Sequence, residues 1–373
     1  MKKLLLVFGT RPEAIKMAPV VMELKSRPEC FDVKVCVTAQ HRQMLDQVLE
    51  FFEITPDYDL NLMKPNQTLY DITCNVIMGM KDVLEQFKPD YAFVHGDTTT
   101  STATAIAAFY AGVKICHVEA GLRTYDKYAP FPEEMNRQLT GRLADIHFSP
   151  TKKSFQNLVN ENTPKENIYI TGNTVIDALI YSAGKVNTIT DNDEINMLKS
   201  ICIEDDIILI TGHRRENFGD GFLRICEALK EIALKFPKAR IVYPVHLNPN
   251  VQKPVYSILN GIDNISLINP LGYPAFVWLM QKSKIIITDS GGVQEEAPSL
   301  GKPVLVMREV TERPEAVDAG TVILVGTDKD KIVSETISLM TDSVKYKKMS
   351  DCINPYGDGL ASKRIVNTIM KLQ

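Results

Sequence analysis

Short apolar runs alternate with longer stretches of helical period along nearly the whole chain. A run too short for a helix and bounded by turn residues reads as a buried strand. A strand, helix, strand succession closes as a parallel sheet covered by helices on both faces. The first half offers strands at Leu4–Phe8, Val33–Thr38, Tyr91–His95, Lys114–Val118, Ile146–Ser149 and Asn167–Thr171. The second half offers Ile207–Thr211, Arg240–Pro244, Ile265–Leu267, Lys284–Thr288, Pro303–Val306 and Thr321–Val325. Two such sets predict two doubly wound, Rossmann-like α/β domains rather than one large sheet. The length of 373 residues agrees, since a domain averages about 150 residues. The boundary is expected at Gly172-Asn173-Thr174, ahead of a helix over Val175–Ser182, with a polar stretch from Lys185 to Asp206 leading into the second set. A turn-rich break, Asn354 to Gly359, precedes a last helix over Leu360–Leu372 and lets the chain cross back. The domains are therefore read as residues 1–171 plus 358–373, and 172–357.

Composition excludes several classes. Hydrophobic residues make up 45% and charged residues 24%, which rules out a disordered or fibrous chain. The 42 Lys and Arg against 46 Asp and Glu leave a net charge of −4, with no general attraction to nucleic acid or anionic lipid. No apolar run approaches the roughly 18 residues of a membrane span, and Leu4–Phe8 is too short for a signal peptide. Seven scattered cysteines, with no C-x-x-C pair, read as reduced thiols of a cytoplasmic protein.

In open parallel sheets ligands bind beyond the carboxyl ends of the strands. The first strand is followed by Gly9-Thr10-Arg11-Pro12-Glu13-Ala14-Ile15-Lys16, where Thr10 and Glu13 have capping-box spacing and Pro12 suits a first helical turn. Free amides with Arg11 and Lys16 beside them outline an anion site, or else a capped helix with solvated charges. His95-Gly96-Asp97 and His117-Val118-Glu119 each bring a carboxylate to the same edge, and Glu133 and Glu134 follow on a proline-stiffened loop. Grouped carboxylates can shift one another's pKa and supply one acid and one base. The alternative is that each caps a helix or pairs with Arg123, Arg137 or Arg142. A zinc-deaminase reading of H-x-E needs a downstream P-C-x-x-C, which the sequence lacks, so no metal is expected. The second half contributes Gly212-His213-Arg214-Arg215-Glu216 and a strand-end His246. It also contributes Asp289-Ser290-Gly291-Gly292-Val293-Gln294-Glu295-Glu296, whose serine and glycines permit close backbone approach to a diphosphate or simply cap a helix. Neither G-x-G-x-x-G nor a P-loop occurs.

Taken in order, Phe8–Lys16, His95–Thr98, His117–Arg123, Pro132–Glu134, Gly212–Glu216 and Asp289–Glu296 closely resemble the non-hydrolysing UDP-N-acetylglucosamine 2-epimerases of bacteria, over nearly the whole chain. The resemblance implies a type-B glycosyltransferase architecture: two Rossmann-like domains facing across a cleft, the second holding the nucleotide. It also implies a homodimer that interconverts UDP-GlcNAc and UDP-ManNAc without a cofactor. Carried over, the UDP-sugar contacts fall on Arg11, Lys16, Asp97, Glu119, His213, Phe276, Ser290, Gly291, Gly292, Glu296 and Arg313. The acid/base candidates fall on Asp97, Glu119 and Glu133, with His213 beside the departing diphosphate. Many members are activated by a second UDP-GlcNAc, and Gln40, Gln43, Glu133, Arg214 and His246 match that site. Two positions depart from the pattern: Leu271 stands where the family often has Gln, and Asn66 where some members use Arg.

The proton at C2 of the sugar is not adjacent to a carbonyl, so a carboxylate cannot easily remove it directly. Anti-elimination of UDP makes C1 oxocarbenium-like and acidifies that proton, giving 2-acetamidoglucal, and UDP then re-adds after protonation on the opposite face. Two proton-transfer groups and a positively charged diphosphate site suffice. The product would supply ManNAc for surface polysaccharide. A type-B glycosyltransferase would share the nucleotide half but need an acceptor pocket, and a catalytically silent UDP-sugar sensor would have no use for three carboxylates.

Overall fold

Leu4 to Phe8 have no exposed surface, which marks strand β1 (Lys2–Phe8) as central to a sheet covered on both faces. The structure is a computed structural model that describes residues 1–39, 42–64, 66–203, 206–311 and 313–372. The chain divides into two units, residues 1–178 with 356–373, and residues 179–355.

In the first unit β1 is joined by β2 (Phe31–Val37), β3 (Tyr58–Asp59), β4 (Tyr91–His95), β5 (Lys114–Val118), β6 (Ile146–Ser149) and β7 (Ile168–Ile170). The order is β3-β2-β1-β4-β5-β6-β7 and every pairing is parallel. The chain winds outward from β1 to β3, then restarts on the other side of β1 with β4. Crossovers are carried by α1 (Arg11–Lys25), α2 (Arg42–Phe51), α3 (Leu69–Phe87), α4 (Thr99–Tyr110), α5 (Glu133–Leu143) and α6 (Lys152–Asn160), and α7 (Thr174–Lys185) leaves the last strand. Thr10 and Glu13 form the capping box their spacing predicts. The terminal helix Ala361–Lys371 returns to this unit: the Asp177 carboxylate accepts Ala361 N and Ser362 N at 3.1 and 2.7 Å, and Lys2 Nζ donates to Ile369 O at 2.7 Å. That helix starts without a cap of its own, so Asp177 supplies the acceptors its first amides need.

The second unit repeats the plan with β8 (Ile207–Thr211), β9 (Arg240–Pro244), β10 (Ile265–Ile268), β11 (Ile285–Thr288), β12 (Val304–Val306) and β13 (Val322–Leu324). Its order is β10-β9-β8-β11-β12-β13, again all parallel. The helices α8 (Asp193–Ile201), α9 (Asp220–Lys235), α10 (Pro249–Leu259), α11 (Tyr273–Lys282) and α12 (Gly291–Glu296) include one that the polarity of residues 185–206 concealed. In α8 only Ile195 and Leu198 are buried, too few to stand out as a period, although Asn192 caps it by accepting from Ile195 N at 2.9 Å. The twelve expected strands are present with ends within two residues. The thirteenth, β3, is two residues long and has no apolar run to announce it.

Candidate functional site

Each sheet reverses its strand order at one place, β1 against β4 in the first unit and β8 against β11 in the second. Loops leaving the two strands at a reversal turn opposite ways and leave a crevice at the carboxyl edge.

In the first unit that crevice is flanked by Gly9-Thr10-Arg11 after β1 and Gly96-Asp97-Thr98 after β4. Buried Glu13 ties the two loops together. It accepts from Gly9 N, Thr10 N and Thr10 Oγ1 at 3.0, 2.8 and 2.9 Å, and from Thr98 Oγ1 and Ser101 Oγ at 2.6 and 3.1 Å. Burial pushes its carboxyl pKa up, and these donors, Thr98 foremost, pull against that rise. Arg11 opens α1 and Lys16 lies one turn further on. Asp97 is held by Arg137 of α5, with Nη2 at 2.7 Å and Nε at 3.0 Å, while its carbonyl accepts Asn136 Nδ2 at 2.9 Å.

Glu119 follows β5, the neighbour of β4, in a left-handed backbone with φ +62°, a conformation uncommon outside glycine. Its Oε2 accepts Lys16 Nζ at 2.5 Å and Asn173 Nδ2 at 2.9 Å, with His95 Nε2 at 3.8 Å. His95 is buried without a hydrogen-bond partner at Nε2. Burial takes its pKa down to about 4, the nearby Glu119 carboxylate opposing, so at neutral pH it is uncharged. Glu133 and Glu134, adjacent in sequence, divide in role. Glu134 is buried and accepts Thr124 N, Tyr125 N and Gln138 Nε2 at 3.0, 3.2 and 2.9 Å, which holds its pKa below the usual value despite burial. Glu133 is half-buried as the first residue of α5.

The crevice of the second unit is built on Asp289, fully buried after β11. Its Oδ2 accepts His213 N and Arg214 N, both at 2.8 Å, which fixes the loop after β8. His213 Nδ1 lies 3.5 Å from Asp289 Oδ1, and its ring stacks on exposed His246 with centroids 5.3 Å apart. Burial lowers the His213 pKa, with Asp289 pulling it back up. Ser290 makes no side-chain capping bond to α12, and Gly291 and Gly292 open that helix. A Cβ on Gly291 would lie 2.9 Å from the Arg313 guanidinium carbon, itself held by Glu295 Oε1 at 2.9 Å from Arg313 Nε. Phe276 is half-buried on α11, and Glu296 half-buried at the end of α12.

The predicted residues thus separate by unit. Arg11, Lys16, Asp97 and Glu119 gather on the first, with Glu133 opening α5. His213, Ser290, Gly291, Gly292 and Arg313 gather on the second, with Phe276 and Glu296 on helices of the same unit. Of the activator positions, Gln43 is exposed on α2, Arg214 and His246 belong to the second unit, and Gln40 lies outside the described residues. The sequence reading had Arg137 among the alternative partners of the carboxylates and Glu13 as the capping-box partner of Thr10, but missed the reach of Glu13 to Thr98 and Ser101 and missed Asn173 as a partner altogether. Asn173 sits in a loop at the same sheet edge, after β7, a position that could have singled it out.

Among the described residues no helix is long and apolar enough to cross a membrane. A family model described as UDP-N-acetylglucosamine 2-epimerase matches residues 22–370. The UDP-N-acetylglucosamine 2-epimerase of Campylobacter jejuni is 60% identical, covering 99% of this chain and 98% of that protein. That of Yersinia pestis is 58% identical, covering 100% and 99%. The crystal structure of UDP-GlcNAc 2-epimerase from Neisseria meningitidis bound to UDP-GlcNAc shares 54% identity and a TM-score of 0.90, covering 99% of this chain and 100% of that one. The two Rossmann-like domains are those of the type-B glycosyltransferase fold class. The motifs, the two switch-point crevices and the full-length matches agree: this chain belongs to the UDP-N-acetylglucosamine 2-epimerase family.

Proposed function

We propose that this isomerase interconverts UDP-GlcNAc and UDP-ManNAc by eliminating and re-adding UDP. The observation that carries the reading is the pair Asp97 and Glu119. They leave adjacent strands at one sheet edge, each against a cation, Arg137 for the first and Lys16 for the second. Paired carboxylates at such an edge suit proton transfer at one sugar carbon from two sides. The C1–O bond breaks and its electron pair leaves on the β-phosphate oxygen. One carboxylate takes the C2 proton, whose C–H electrons become the C1–C2 double bond of 2-acetamidoglucal. A proton then returns to C2 on the other face, and UDP adds back at C1. Glu133 assists. Arg11, His213, Arg313 and the Ser290-Gly291-Gly292 backbone hold the diphosphate, supported by the anchoring of His213 through Asp289. Phe276 and Glu296 serve the uridine. Gln43, Arg214 and His246 are assigned to a second, activating UDP-GlcNAc. No cofactor enters this scheme.

The enzyme is further proposed to work as a cytoplasmic homodimer that supplies ManNAc for surface polysaccharide. Exposed Met78 on α3, with Phe109 and Tyr110 on α4, offers an apolar face for a second copy to cover. A monomer mass by light scattering would remove the dimer from the proposal.

The test of the chemistry is positional isotope exchange. UDP-GlcNAc carrying ¹⁸O between C1 and the β-phosphorus should scramble the label into non-bridging phosphate positions as UDP-ManNAc forms. Formation of UDP-ManNAc with the label unscrambled would exclude release of UDP, and absence of UDP-ManNAc would exclude the activity.

A further inference from the structure

The loop after β7 reaches the reaction site from an unexpected direction. Asn173 is almost wholly buried, and three of its groups are engaged. Its Nδ2 donates to Glu119 Oε2 at 2.9 Å. Its Oδ1 accepts Val175 N at 3.0 Å, capping α7, the helix through which the chain leaves the first unit after Ala178. Its backbone N donates to Tyr356 O at 2.7 Å, where the chain re-enters that unit. Gly172 beside it, at φ +89°, faces Gly357 and Tyr356, and a Cβ there would lie 3.4 Å from both. One residue therefore joins the Glu119 carboxylate to both segments, to the outgoing helix through its side chain and to the returning segment through its backbone amide.

The Glu119 end of this connection is also constrained. Its backbone is left-handed, a state that persists only when the surroundings fix it. Lys16 of α1 shares the same oxygen, and His95 and Asp97, from β4 and the loop after it, are titratable groups nearby. Lys16 is a flexible point charge that can follow the carboxylate through several rotamers. The Asn173 amide is rigid, buried and directional, so it selects one orientation of the Glu119 carboxylate.

We infer that Asn173 is a positioning residue for Glu119, holding its carboxylate ionised and aimed for proton transfer and bracing it against the two connecting segments. The inference rests on the assignment of proton transfer to Glu119. Asn173→Asp keeps the shape and the α7 cap but sets a second carboxylate against Glu119 Oε2. It should move the pH–rate limb governed by Glu119 up by about one pH unit, since like charges disfavour ionisation. Asn173→Ser keeps a good cap but cannot reach Glu119. It should lower kcat about tenfold, with KM within about twofold and the melting temperature unchanged. In a Glu119→Gln background, which should be nearly inactive, Asn173→Ser should lower the residual rate no further. An unmoved pH profile in Asn173→Asp, with wild-type kcat in Asn173→Ser, would overturn the positioning role while Glu119→Gln remains inactive. A fully active Glu119→Gln would overturn the assignment of Glu119 itself, and the role of Asn173 with it.

Discussion

At the residue scale, what distinguishes the functional carboxylates is the company they keep. Asp97 is gripped by a forked guanidinium and Glu119 by an ammonium and an amide, while Glu13 spends its oxygens on backbone and hydroxyl donors and Glu134, buried, on two backbone amides and Gln138, with Arg137 Nη1 at 3.3 Å. Replacing Asp97 by Asn keeps the contact to Arg137 through its oxygen but removes the proton-transfer group. Turnover should fall about 10² to 10⁴-fold with a native melting curve; a loss below fivefold would place the chemistry elsewhere. Gly291→Ala tests the diphosphate side. The new Cβ meets the Arg313 guanidinium at 2.9 Å, and because Glu295 holds that group its displacement should cost about 1–3 kcal/mol of stability, while KM rises about tenfold. Much of this was legible in the sequence because motif residues lie directly after strands. The pairing of Asp97 with Arg137 was among the alternatives the sequence left open. The partners of Glu119 were not, because Lys16 and Asn173 stand 103 and 54 residues away and meet it only through sheet order. Glu133 and Glu134 were separated in sequence by the resemblance alone, which named Glu133; in the structure the phase of α5 buries Glu134.

At the element scale, β4, β5 and β6 carry a row of buried histidines, His95, His117 and His147, the last two paired in register. Burial depresses all three, to about 4, about 3 and about 4. The unfolded chain takes up their protons near pH 6.5, so the stability from keeping them neutral is intact above that value and is lost as pH falls toward the folded values. Each histidine contributes at most about 1.4 kcal/mol per pH unit to that slope. Urea midpoints measured from pH 7.5 to 5 should fall steeply for the wild type and less steeply for His147→Gln; equal slopes would deny the contribution. The turn after β5 depends on Gly121, at φ +91°, where a Cβ would lie 2.2 Å from the backbone carbonyl of Ser154 in α6. Neither backbone can yield cheaply. Gly121→Ala should therefore cost about 3 kcal/mol or more in chemical denaturation, and a cost below about 1 kcal/mol would show that the loop re-forms elsewhere. Strand positions were legible because parallel strands buried on both faces are nearly continuous apolar runs. The elements missed, β3 and α8, are those whose burial is too slight to leave such a run.

At the scale of the whole molecule, a net charge of −4 conceals two differently equipped halves. The first unit presents carboxylates braced by Arg137, Lys16 and Asn173 at its switch point. The second presents a histidine, an arginine and a serine-glycine turn anchored on a buried aspartate. The central claim, that C2 loses its proton and regains one from solvent, is tested by incubating the protein with UDP-GlcNAc in D₂O and following the sugar by NMR. Deuterium should appear at C2 as the UDP-ManNAc signal grows, and Asp97→Asn should suppress both. UDP-ManNAc formed with its C2 proton retained, or an unchanged substrate spectrum, would contradict it.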